Sequence, residues 1–74
     1  MNYVVIEMQT SAGTTSTITY EYSDIHEAEQ KYYLILSSAA VSSVEFHGAM
    51  LVDQYCSVIK SEAFVHPVPA PANE

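Results

Sequence analysis

Glu45, His47, Lys60, Glu62 and the single cysteine, Cys56, of this 74-residue chain gather in one stretch, Val44 to Val65, and they limit the chemistry it can attempt. His47 and Glu62 form a candidate acid–base pair, since a carboxylate orients a neighbouring imidazole for proton transfer. No nucleophile with oxyanion donors accompanies them. Cys56 falls in a turn with no basic residue in the local sequence to generate a thiolate. His47, Glu62 and His66 do not make a metal motif, because no helix offers a His-x-x-x-His spacing, and the one Cys and three His are too scattered along the chain to suggest a four-ligand zinc set. Gly13 and Gly48 open no glycine-rich phosphate loop. The expectation is a protein without catalytic residues, metal or cofactor.

Ligand binding fits the residue types better. Tyr3, Tyr33, Tyr55 and Phe64 offer stacking surfaces, and Lys60 and His47 offer donors. The candidate ligand-binding set is Tyr3, Tyr33, His47, Lys60, Glu62 and Phe64, converging where subunits meet, since pockets often form at interfaces. Stacking on a base needs no positive net charge, whereas a phosphorylated ligand wants Lys31 or Lys60 close by.

These residues need elements to hold them. Tyr3–Thr10 is rich in β-branched residues and reads as a strand, Ser11–Thr14 as a turn with Gly13 free to take positive φ, and Thr15–Tyr22 as the returning strand. Ser23 or Asp24 caps a helix, and Asp24 with Glu27 has capping-box spacing. Ala28, Tyr32, Ile35, Leu36 and Ala39 recur at helical spacing and form its apolar stripe. The helix is expected to end within Ala40–Ser43. Val44 to Val65 then reads as a second hairpin turning at Asp53–Cys56, with His47 opposite Glu62, Ala49 opposite Lys60 and Glu45 opposite Phe64. After His66 three prolines in alternate positions predict a flexible C-terminal tail over 67–74.

The fold class expected is α+β, a ββαββ domain over residues 1–66 with a four-stranded, mainly antiparallel sheet and one helix packed on one face. The helix is expected to cover Val4, Ile6, Met8, Ile18, Phe46, Met50, Val52, Ile59 and Val65. Tyr3, Val5, Leu51, Val58 and Phe64 then lie on the outer face, leaving more apolar surface than a monomer normally exposes. A homo-oligomer is the simplest remedy. Oligomerisation is also the remaining staple for so small a core, because one cysteine forms no internal disulfide.

Nine acidic residues against Lys31 and Lys60 give a formal charge of −7. That balance argues against direct DNA or RNA binding and against an anionic membrane surface, both of which need a basic footprint. No apolar run approaches membrane-spanning length, the N-terminal residues lack a signal-peptide pattern, and a lone thiol suits a reducing cytoplasm.

Several segments together resemble short proteins encoded by phages and prophages of gut Firmicutes. They are Val5-x-Glu7-Met8-Gln9-Thr10 with Gly13, the helix start Glu27-Ala28-Glu29-x-Lys31-Tyr32, Ala40-Val41-Ser42-x-Val44-x-x-His47, and Lys60-Ser61-Glu62-x-Phe64-x-His66. The similarity spans residues 3–66 and departs at the Asp53–Cys56 turn, which lacks an expected glycine. It transfers no site residues. Small oligomeric phage proteins of this kind include counter-defence factors, so the resemblance implies an accessory protein in the host cytoplasm that sequesters a nucleotide-derived immune signal. The alternatives are an acidic blocker of a host defence protein, anti-CRISPR-like, and a minor virion component.

Overall fold

The computed structural model describes residues 1–66; the proline-rich segment expected as a tail lies outside the described residues. The elements follow in the order β1 (Tyr3–Ser11), β2 (Thr14–Tyr22), α1 (Ile25–Ala40), β3 (Phe46–Asp53) and β4 (Val58–Val65). They form one open sheet of strand order β2-β1-β3-β4 with all neighbours antiparallel, and α1 is the single helix among the described residues. The α+β, ββαββ architecture is as expected. No described helix is long and apolar enough to cross a membrane.

Local chemistry accounts for each boundary. The β1–β2 turn is two residues long, with Ala12 at φ 54° and Gly13 at φ 82°. Positive φ at both positions matches the twist of the flanking strands. Asp24 caps α1 by accepting from the His26 N–H at 2.9 Å, so the cap bonds the second helical residue and not Glu27. At the other end Val41 and Ser42 donate to Ser38 and Ala39, tightening the last turn. Asp53 organises the β3–β4 turn, its Oδ1 accepting from Tyr55 N–H at 2.9 Å and Ser57 N–H at 3.0 Å.

The helical stripe read from the sequence is the one buried: Ala28, Tyr32, Ile35, Leu36 and Ala39. Apart from Ile18, on the helix side, and Val58, on the uncovered face, both as expected by register, what it packs against is the reverse of the expectation. The core joins the stripe to Val5, Ala49 and Leu51, with Tyr3, Tyr20, Tyr22, Ile25 and Phe64 packed around it. Tyr3, Val5, Leu51 and Phe64 are therefore under the helix, while Val4, Ile6, Met8, Phe46, Met50, Val52 and Val65 share the uncovered face by register. Alternation identifies two faces and not which one is covered. Here both faces are apolar, so hydropathy did not decide. Topology does: β2 and β3 both run antiparallel to β1 and hence parallel to each other, so β2–α1–β3 is a crossover. The near-invariant hand of such crossovers fixes the face that receives the helix.

The second hairpin pairs two residues out from the expected register. His47 faces Phe64, Ala49 faces Glu62 and Leu51 faces Lys60. The loop takes one residue more than expected, so that Val52 meets Val58, and an irregularity between Leu51 and Val52 takes up another. Two slips of one residue leave every side chain of β4 beyond the bulge on the same side as the β3 residues expected to share its face, while changing its partner.

Candidate functional site

Two polar groupings lie on the helix side of the sheet. The first centres on His47, whose expected partner was Glu62. Its Nε2–H instead donates to Oε2 of Glu7 on β1 at 2.7 Å, with the two side chains 8% and 14% exposed. Gln9 Nε2 donates to the same oxygen at 3.2 Å, and the Tyr20 hydroxyl reaches Oε1 at 3.4 Å. One carboxylate thus collects three side-chain donors. The His47 Nδ1 is buried without a partner. An imidazole–carboxylate pair is the usual apparatus of proton transfer, but here one ring nitrogen is occupied and the other is shut from solvent. The arrangement ties β1 to β3 beneath the helix and offers a substrate no free nitrogen.

The second grouping lies where α1 meets β4. Lys60 Nζ sits 5.7 Å from the Tyr33 ring centroid. The neighbouring Tyr33 side chain favours the ammonium and raises Lys60 above the usual lysine range. Tyr33 meets Tyr32 edge to face, ring centroids 5.1 Å apart. Burial of Tyr32, with the charge of Glu62 nearby, pushes its phenol up from 10.0. Of the six candidate ligand residues, the structure brings Tyr33, Lys60 and Glu62 together here. His47 and Phe64 are cross-strand partners on the same face, His47 buried and Phe64 half-buried. Tyr3 packs against the core from β1, two strands away from Lys60. The outer-face contact surface expected of these residues is not where they lie.

Both lysines are engaged with tyrosines. Lys31 Nζ lies 4.2 Å above the Tyr20 ring. Tyr20 belongs to one edge strand and Lys60 to the other, so about 14 Å of sheet, three strand spacings, separates the two sites. One subunit therefore cannot set both cations on one phosphate.

Sequence reasoning missed Glu7 as the partner of His47, and no local signal names it, because the pairing depends on β1 lying beside β3. Sequence reasoning also gave His66 no role. His66 instead donates from Nε2 to the Ala39 carbonyl at 2.7 Å and from its backbone to Glu45 at 2.8 Å. It adds a second donor to a carbonyl of the last helical turn that already accepts from the Ser42 N–H. Cys56 is exposed in the turn at φ 66°, the left-handed position where a glycine was expected. Among the described residues no three His, Cys, Asp or Glu side chains cluster as metal ligands.

The remaining concavity is on the uncovered sheet face. A groove of about 250 Å³ runs over Gly48 and Ala63, walled by Ile6, Met8, Phe46 and Met50, and its lining is overwhelmingly apolar. Gly48 is required there: a Cβ would stand 2.5 Å from the Glu62 carbonyl oxygen and 2.7 Å from the Ala63 Cα. No protein-family model, curated protein or solved structure matches the chain.

Proposed function

We propose that this chain is a non-enzymatic, self-associating binding module, a phage accessory protein that counters host antiviral defence in the host cytoplasm by sequestering a nucleotide-derived signal. The observation that carries the reading is the uncovered sheet face, whose centre is apolar over β1 and β3. A sheet that packs a helix on one side and leaves such a surface on the other is built to be covered. The ligand side of the reading rests on Tyr33, Lys60 and Glu62, an exposed ring beside an ammonium held in its charged form. A base stacks on such a ring and a phosphate seeks such a cation.

Calorimetry against cyclic nucleotides and cyclic ADP-ribose isomers tests the ligand. Stoichiometric heat with one of them, lost in Lys60→Ala, supports the reading; no heat with any of them ends it. A second reading has its own observation. Asp24, Glu27 and Glu29 crowd the start of α1, a surface suited to a basic protein partner. Recovery of one stoichiometric host protein, released by salt, favours that blocker role over sequestration.

A further inference from the structure

We infer that the uncovered sheet face is the contact between two copies of this chain, packed face to face about a twofold axis with Phe46 of each copy seated in the Gly48 groove of the other. The inference rests on the self-association proposed above and specifies where it occurs.

Three features single out a second copy as the occupant. The first is shape. A twofold interface uses the same patch on both partners, so projection and recess must lie on one surface. Phe46 is 42% exposed on this face, and the groove over Gly48 and Ala63 lies beside it on the same face. The groove exists because no side chain fits at Gly48.

The second is charge. At −7 per chain two copies repel, and they approach best where neither presents acid. By register the face carries Glu21 alone among the strand acids, at the β2 edge, while Glu7 and Glu62 point to the helix side. Neither lysine is on the face, so an acidic partner gains nothing there, and a basic partner finds its complement around α1 instead.

The third is anatomy and size. The apolar centre is flanked by Thr17 and Thr19 on β2 and Ser61 on β4, a polar rim. Thr10 and Thr15 bond each other at 2.7 Å, so burying their hydroxyls strands neither. Four strands about 4.8 Å apart and eight residues long give a face of about 500 Å², so a pair covers about 1,000 Å², the size a specific interface needs.

Sedimentation across a concentration series, with Phe46→Glu and Leu34→Glu beside the unaltered chain, tests it. Leu34 is 57% exposed on the helix and serves as the apolar control. The expected result is a dimer whose mass falls about twofold in Phe46→Glu, the ratio a twofold pair requires, and is unchanged in Leu34→Glu. An oligomer indifferent to Phe46→Glu overturns the face assignment and leaves self-association standing. A monomer at every concentration overturns both, and the calorimetry then judges ligand binding separately. Should Phe46→Glu not fold, methionine-methyl spectra of the unaltered chain decide. Met8 and Met50 share this face and Met1 does not belong to the sheet. Shielding of the Met8 and Met50 methyls from a soluble paramagnetic agent is expected, and free access to both overturns the inference.

Discussion

Replacing Glu7 with alanine separates the pairing found here from the one the hairpin alone suggested. The Glu7–His47 contact is 2.7 Å long and nearly closed to solvent, so screening discounts it little. Without the carboxylate the His47 Nε2–H loses its acceptor beside an already unpartnered Nδ1, and Gln9 and Tyr20 lose theirs. A hydrogen bond to a charged group contributes about 1.5–3 kcal/mol, and a buried donor left unsatisfied costs about 1–3 kcal/mol. A loss of about 3 kcal/mol is therefore expected, out of a total of about 4–11 kcal/mol for a domain of this length. Urea unfolding followed by circular dichroism measures it as a lower midpoint at unchanged slope. Glu62→Ala, on an exposed residue facing Ala49, is expected to stay within about 0.5 kcal/mol. A Glu62→Ala loss equal to that of Glu7→Ala refutes the reasoning, as does a Glu7→Ala loss below about 1 kcal/mol, less than one such hydrogen bond contributes.

Further outcomes follow from the backbone and the buried phenol. Ala12 and Cys56 occupy left-handed backbone at φ 54° and 66°, which costs an ordinary L-residue about 1–2 kcal/mol; Ala12→Asn and Cys56→Gly are each expected to raise the thermal midpoint, and a fall in both would sink the assignment of those turns. Gly48→Ala forces β3 and β4 apart, because the new Cβ would meet the Glu62 carbonyl oxygen at 2.5 Å; a loss of about 1–3 kcal/mol is expected by the same unfolding assay. Tyr32 has a folded-state phenol raised above 10.0, chiefly by burial. Its contribution is fully present below the unfolded value and is lost as pH rises through the raised one. Stability should therefore fall from about pH 10 upward, and Tyr32→Phe should flatten that decline.

The elements were legible because their signals are local. Asp24 before an apolar stripe, Gly13 between two β-branched runs and the spacing of Ala28, Tyr32, Ile35, Leu36 and Ala39 each specify structure within a few residues. The face under the helix was not legible from periodicity, since Val5 and Leu51 alternate with Val4, Ile6 and Met50, and both sets are apolar. The hairpin partners slipped for a related reason: Asp53 closes a longer turn than its composition suggests, and the irregularity at Leu51/Val52 leaves no mark in residue type. The candidate site divided along the same line. Tyr33, Lys60 and Glu62 meet because α1 crosses β4, whereas the partner of His47 came from a strand 40 residues away, and only strand order brings it there.

The placement of the two lysines also makes the molecule its own unfolding gauge. Trypsin has only Lys31 and Lys60 to cut after. Lys31 lies within α1 and Lys60 within β4, each with its ammonium against a tyrosine ring. Backbone held in a helix or a strand does not enter a protease cleft, so both bonds are cut only when their elements open. When closing outpaces cutting, the digestion rate reports the population of the open form and thus its free energy. Whatever covers the bare sheet face, or binds beside Lys60, should be readable as slower digestion, with no label added to the chain.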